Sequence, residues 1–517
     1  MKKQSETSIS ITWTCPLLTL ISMLFGQLGM AQIHYQPYSY EHYQRQMRTV
    51  YADSLGHATV KPFISQNLDS RYDIQERDSS KNLFYRKLFQ EHLIEVNKED
   101  HKFYIDFMPD FVLGKETGTH SKNLWTNTRG AQAGLSVKDK FSLYVSFYEN
   151  QARYASFIDS TARQIGNLPG QGFSKNINTG QYDWMNATAN ISYHFSDAFQ
   201  ASVAYDKIHV GEGYRSVLIS DNPYNFTHAR FSGTVGRWQY HSIWAYMNDL
   251  RNPRLADVND PFTHRMGNGV KYGAFHYVEY LASNKLSVGL FHSLIWAERN
   301  AESQKANGGL GLNVKYRPWT RYIFYGQLYA DDLGKFGFGS KTNHRTAFQL
   351  GGKTYDLFDV PNLSLTAEYN QAAPYTYQHP NNRINYTSNG EPLAHPRGAN
   401  FREGLAILTY RWNRWEAYGQ TMFARYGLDP DEDSNVGVDL FKEGMTNSSF
   451  RIGQGQLNKL FYNELRLSYV MNPKYNLRWE LGLINRVNKN VAIAERTNTT
   501  IFTFGLRSSF RTWQREY

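Results

Sequence analysis

"TNTTIFTFGLRSSFRTWQREY" (497–517) decides the fold. Phe502, Phe504, Leu506 and Phe510 fall on one side of an extended strand, and Thr503, Gly505, Arg507, Ser509 and Arg511 on the other. A strand with one strongly apolar face and one charged face, inside a polar and basic chain, needs a different environment on each side. The same period of two recurs at 141–147, 310–316, 363–369 and 477–483. Short turns at 138–140, 196–197, 283–285, 317–319, 412–414 and 472–474 alternate with long polar stretches at 151–183, 249–269, 373–402 and 426–459. That asymmetry belongs to outer-membrane barrels, which carry short turns at one rim and long loops at the other.

Strand starts counted from position 103 to position 499 number about 18, an even count as bacterial single-chain barrels prefer. The expected fold is therefore all-β, a transmembrane antiparallel β-barrel over residues 101–517. In it the apolar face of 502–510 meets lipid and the polar face lines the lumen. The aromatic finish resembles the signal read by the barrel-insertion machinery, which becomes an expected partner during biogenesis. A β-sandwich or propeller also alternates. The long alternating runs, the unequal connections and 15% aromatic residues, with 37 Tyr and 11 Trp to furnish interfacial girdles, favour the barrel. No blade-length repeat is present.

The N-terminal stretch reads as a route of export. Met1-Lys2-Lys3 is basic, 16–28 is largely apolar, and Gly29 and Ala31 are small, so residues 1–31 are expected to be a cleaved secretory signal peptide. Thr12, Thr14, Pro16, Thr19, Ser22 and Gln27 interrupt any membrane anchor of about 20 apolar residues. The expected location is the outer membrane of a Gram-negative bacterium. Cleavage removes the only cysteine, Cys15, and lowers the formal charge from +10 to +9 by taking Lys2, Lys3 and Glu6. Residues 32–100 should form a periplasmic, partly helical segment. It has a helix around 40–55 and an amphipathic one over 81–96, where Leu88, His92 and Val96 recur at helical spacing. This segment should lie on the periplasmic rim or plug the barrel's inner mouth.

The positive charge is scattered among Asp and Glu, with no basic run or nucleic-acid motif, so nucleic acid is not an expected partner. No G-x-S-x-G, H-E-x-x-H, Walker A loop or cysteine cluster appears, and neither an enzyme, a cofactor nor a metal site is expected. Asp331-Asp332 in "GQLYADD" (326–332) place adjacent carboxylates on opposite strand faces, a poor cation cage. More specific are "GEGYRSVLISDNPYNF" (211–226), "EYNQAAPYTYQHP" (368–380) and "LAHPRGANFREG" (393–404). Aromatic faces stack on sugar rings while Arg, Asn and His take hydroxyls, so Tyr214, Arg215, Tyr375, Tyr377, His395 and Arg397 are the candidate glycan contacts. The plain alternative is a folded loop that narrows the pore.

"NLFYRKLFQEHL" (82–93), "GEGYRSVLISDN" (211–222), "YGAFHYVEYLASNKLSVGLF" (272–291), "GQLYADD", "LSLTAEYNQAAPYTYQH" (363–379) and "LAHPRGANF" (393–401) occur in this order. Together they resemble the Wzi-like capsule assembly and RemB-like gliding motility proteins of the Bacteroidetes, over roughly 81–517. The resemblance implies an 18-stranded outer-membrane barrel that binds, anchors or helps assemble capsular or other surface polysaccharide. The alternatives are a gliding or adhesion component acting with surface proteins, and a passive porin. Surface polysaccharide, outer-membrane lipid and lipopolysaccharide are the expected partners.

Overall fold

The computed structural model describes residues 34–51, 55–65, 78–138, 140–249, 269–297, 306–331, 345–442, 450–511 and 515–516. The expected signal peptide, Asp332 and Tyr517 lie outside them. The strands close into one antiparallel barrel of eighteen staves. In chain order they are β1 (His101–Phe107 with Asp110–Gly118), β2 (Lys122–Val137), β3 (Phe141–Arg153), β4 (Tyr182–His194), β5 (Phe199–Asp206) and β6 (Phe226–Val235). Next come β7 (Trp238–Asp249), β8 (Gly269–Leu281), β9 (Leu286–Ala297), β10 (Asn307–Trp319), β11 (Tyr322–Asp331) and β12 (Thr346–Tyr355). The ring finishes with β13 (Leu363–Ala372), β14 (Phe401–Trp412), β15 (Trp415–Leu428), β16 (Gln456–Asn472), β17 (Leu477–Asn490) and β18 (Glu495–Arg507). Both halves of β1 pair with β2 without losing register. Pro109, which has no N–H to give the ladder, interrupts the stave between them. β18 closes on β1, from Thr499 opposite Gly118 to Arg507 opposite Asp110.

The period of two sets which side of the wall each residue takes. On β17 Trp479 and Leu481 are exposed outside, while Arg478 and Glu480 are buried inside. On β10 Leu310, Leu312 and Tyr316 face out, and Asn313 and Lys315 face in. Phe147, Val203, Phe231, Leu290, Leu328, Leu350, Leu465, Phe502 and Phe504 continue the exposed apolar exterior round the ring. An apolar band on a barrel without edges is the surface a bilayer requires. Leu481→Arg, placed in that band, should destabilise the barrel by roughly 2–4 kcal/mol. A lower temperature for loss of the fast-migrating unboiled form on a denaturing gel would register it.

The interior departs from the expected polar lining. Inward residues such as Ile243, Phe275, Tyr277, Phe291, Ile295 and Tyr329 pack with Val217, Leu218, Ile219, Tyr377, Tyr386 and Leu393 from the connections, forming an apolar core within the barrel. A second core joins Tyr38, Tyr40 and Tyr43 to Leu405, Ile407, Tyr418, Met422 and Tyr462 of the opposite wall. The barrel encloses folded chain.

Two expectations about particular segments are corrected. The helix over 81–96 is shorter: α2 (Leu83–Phe89) follows α1 (Tyr40–Val50), and Ile94–Asn97 is instead a strand on the edge of β1. Val96 therefore satisfies a sheet, although its spacing mimics a helix. α2 starts at Asn82, whose side chain accepts the Tyr85 N–H, and packs at the turn rim, where Asn472 and Tyr475 donate to the Lys87 carbonyl. Phe510 does not face lipid; it is buried against His42. Asp110 Oδ1 accepts the N–H groups of Ser508 and Ser509 at 2.8 and 3.0 Å and turns the chain inward, so the strand stops at Arg507.

Candidate functional site

Three pieces of chain meet in the lumen. The first is residues 34–65. α1 lies across the mouth at the turn rim: Tyr40 donates to Thr366 (2.8 Å), Arg48 pairs with Asp356 (2.8 Å), and Arg45 and Glu41 pair with Glu416 and Arg466. Beyond it, the Thr59 hydroxyl lies within 3.1 Å of Glu212 and 3.0 Å of Glu279, His57 bonds Glu279 at 2.9 Å, and Lys315 bridges both carboxylates at 3.4 and 3.3 Å. Val60–Lys61 pair as a short strand with His209–Val210.

The second piece is the connection 207–225. Its backbone runs so close to the wall that glycine is required. A Cβ on Gly211, whose φ is +142°, would stand 2.3 Å from Gln327 Nε2, and one on Gly213 would stand 2.7 Å from Glu368 Oε1. The wall answers with side chains that bind backbone. Gln327 donates to the Val210 carbonyl (2.9 Å) and accepts from Val217 N (3.0 Å), Gln349 donates to the Arg215 carbonyl (2.8 Å), and Glu368 accepts from Tyr214 N and Arg215 N.

The third piece follows β18. Arg511 donates to Asn150 (3.0 Å) and stacks on Tyr148. Glu516 accepts from Tyr214 Oη (2.5 Å) and Gln420 (2.8 Å), and Arg515 faces Glu464 at 3.6 Å. Thus the described residues of 34–65, 207–225 and 508–516 form one plug.

Four of the six candidate residues converge at its centre. Arg215 Nε donates to Glu403 Oε1 at 3.1 Å, with its Nη2 3.9 Å from Glu516. His395 Nε2 lies 3.0 Å from the same Glu403 oxygen, and Arg397 reaches Glu403 at 3.4 Å and donates to the Glu516 carbonyl at 2.7 Å. His395 accepts the Arg397 N–H through Nδ1, so Nε2 is its donor. Burial holds its pKa down to about 4 against the pull of Glu403, and the ring is neutral at pH 7. Tyr214 stacks on the Arg215 guanidinium, 4.7 Å from its ring centroid.

Tyr375 and Tyr377 lie apart, in the roof. Tyr375 Oη donates to the Asn435 carbonyl (2.8 Å). Tyr377 donates to the Val217 carbonyl (2.7 Å) between the rings of Tyr329 and Tyr386. All six side chains are buried or nearly so and bond the protein, although Arg215 Nη1 and Arg397 Nε lack a hydrogen-bond partner. The ring faces expected to stack on sugars are covered. Glu403, Glu516, Glu368, Gln327 and Gln349, which hold the cluster together, escaped sequence reasoning. Their only signal is a polar residue on the inward face of a strand, or, for Glu516, in the tail. Among the described residues no group of three or more His, Cys, Asp or Glu is arranged to hold a metal ion.

The roof has its own fastening. Glu391 accepts from Gly170 N (2.6 Å) and Tyr224 N (3.1 Å), tying together the three connections 154–181, 207–225 and 373–400. Burial pushes its carboxyl up to about 7, against the two N–H donors and Lys207. A raised carboxylate pKa means that the folded state holds the proton more tightly, so the stability it contributes is full below about pH 4.5 and is lost as pH rises through 7. At about 1.4 kcal/mol per tenfold change in acidity this amounts to ~3 kcal/mol. Glu391→Gln should therefore match the parent at pH 4.5 and exceed it at pH 8, as read from thermal unfolding at the two pH values.

No family model matches the chain, and no curated protein matches it. Solved structures similar to it are outer-membrane barrels. Wzi of Escherichia coli, described as a carbohydrate-binding β-barrel involved in group 1 capsule assembly, is 13% identical with a TM-score of 0.47, covering 78% of this chain and 85% of its own. OprD of Pseudomonas aeruginosa is 11% identical with a TM-score of 0.43, covering 78% and 94%. OccAB4 of Acinetobacter baumannii is 8% identical with a TM-score of 0.43, covering 79% and 97%. At such identities and scores the likeness assigns neither ligand nor activity to this chain.

Proposed function

We propose that this chain is an outer-membrane barrel that binds, anchors or helps assemble surface polysaccharide, without enzymatic chemistry and without acting as a conduit. The observation that carries this reading is the plug. A barrel of 16 to 18 strands leaves an aqueous channel when its interior is empty, and here three separate pieces of chain fill it with apolar cores and paired charges. A passive porin gains nothing from such a filling. A rigid platform that presents surface at the loop rim does, because its connections are fixed from below. In this reading Tyr214, Arg215, Tyr375, Tyr377, His395 and Arg397 set the shape of that platform, and the sugar meets accessible residues above them. The resemblance of several sequence blocks to those of capsule assembly and gliding proteins supports a role at the cell surface.

A deletion strain stained for capsule and scored for spreading on agar tests the reading. Loss of retained capsule with normal spreading is the expected result. Intact capsule with impaired spreading would move the protein to a motility role.

A further inference from the structure

At the turn rim, between Val50 and residues 57–63 of the plug and the wall formed by β4 to β7, lies a cavity of about 350 Å³. That volume falls at the lower end of small-ligand sites. Ser196, Asp197 and Ala198 of the β4–β5 turn line its outer end, so it reaches the rim. Three buried polar atoms without a hydrogen-bond partner belong to side chains that line this one cavity: Arg230 Nε, His57 Nε2 and Gln200 Oε1. Buried polar groups are nearly always satisfied, and three exceptions around one space point to a missing partner.

The chemistry of the three narrows that partner. Arg230 is 4% exposed, donates through Nη1 to the Pro62 carbonyl at 2.9 Å, and has no carboxylate within ion-pair distance among the described residues. The nearby Asp206 is engaged with Tyr35 and the Lys207 N–H. A buried guanidinium in that state favours an anion. His57 Nδ1 faces the Glu279 carboxylate at 2.9 Å, and in the tautomer that donates there Nε2 is an acceptor. Gln200 Oε1 is also an acceptor. An inorganic anion satisfies the first group and neither of the others, since two acceptors require a ligand that brings hydroxyl donors. Phe63 adds apolar ring surface to the lining, suited to C–H faces, and Asp197 at the rim disfavours a second negative charge.

We propose that this cavity binds a single acidic sugar unit, a hexuronate, with its carboxylate on Arg230 and its hydroxyls on His57 and Gln200. The choice of a sugar rests on the polysaccharide reading above. The location is new: the site opens at the turn rim, opposite the loops, where a chain on its way to the surface would first meet the barrel.

The test uses the full chain purified in detergent and titrated calorimetrically with D-glucuronate, D-glucose and acetate. Glucuronate should bind saturably, with glucose and acetate each weaker by about tenfold or more, since each lacks one of the two recognised features. Arg230→Gln should lose about tenfold or more in glucuronate affinity while keeping the fast-migrating unboiled form. Ala198→Trp, which narrows the opening and spares the interior, should do the same if Arg230→Gln fails to fold. Absence of saturable glucuronate binding, equal binding of acetate or glucose, or unchanged affinity in the variants would overturn the proposal. The two readings fail separately. Capsule loss in the deletion strain with no glucuronate binding removes the pocket alone, and glucuronate binding with capsule retained removes the polysaccharide role alone.

Discussion

A chain lacking residues 34–65 should conduct ions in planar bilayers where the parent is nearly silent, with conductance higher by an order of magnitude. α1 and the segment behind it occupy the turn-rim side of the lumen, where α1 is bonded to Thr366, Glu416 and Arg466. Their removal also leaves Lys315 and Glu279 without Thr59 and His57, so the barrel should unfold at lower temperature while still forming. Adding a glycine–serine replacement of 211–220 should raise the conductance further, because that connection is the second obstruction. High, steady conductance in the intact protein would sink this account and return the protein to the porins.

Glu403→Gln should cost about 3 kcal/mol, because it leaves Arg215 buried with one distant carboxylate, Glu516, in place of two. His395 does not rescue the loss, as it is neutral and takes no share of the charge. The contrast is informative. Replacing the pair together, Arg215→Met with Glu403→Leu, should recover most of the lost stability, since an apolar pair of similar volume removes the desolvation penalty along with the attraction. Thermal unfolding followed by the unboiled gel shift measures both variants. If Glu403→Gln is neutral, the central cluster does not hold the plug.

What was legible in the sequence was local. Alternation in 477–483 or 310–316 needs only neighbours to be read, and each such stretch became a stave with its apolar residues outward. The stave count followed from the same signal. That the N-terminal segment could plug the inner mouth was legible, but the contacts of the plug were not, because they depend on meetings across hundreds of residues, such as Tyr40 with Thr366 or Tyr214 with Glu516. The two misread segments failed for a shared reason. The period of two at 502–510 continues past Arg507, and the spacing of Leu88, His92 and Val96 imitates a helix, yet in both places an edge of β1 decides the outcome. Asp110 bends the first segment inward, and the ladder to 102–105 extends the second. The six candidate residues were chosen for types that suit sugars. Those types suit a dry, hydrogen-bonded plug equally well, and burial separates the two uses only after folding.

The bond from Asp110 to Ser508 and Ser509 has a mechanical consequence. β1 and β18 form the seam where the cylinder closes, and in many closed sheets such a seam is where the wall would part sideways. Here the chain leaving β18 is hooked under β1 and continues to Arg511 on β3 and Glu516 beneath Tyr214. Prising the seam apart means dragging this length of chain out of the interior. The seam is a clasp fastened from within, so the wall should resist parting sideways.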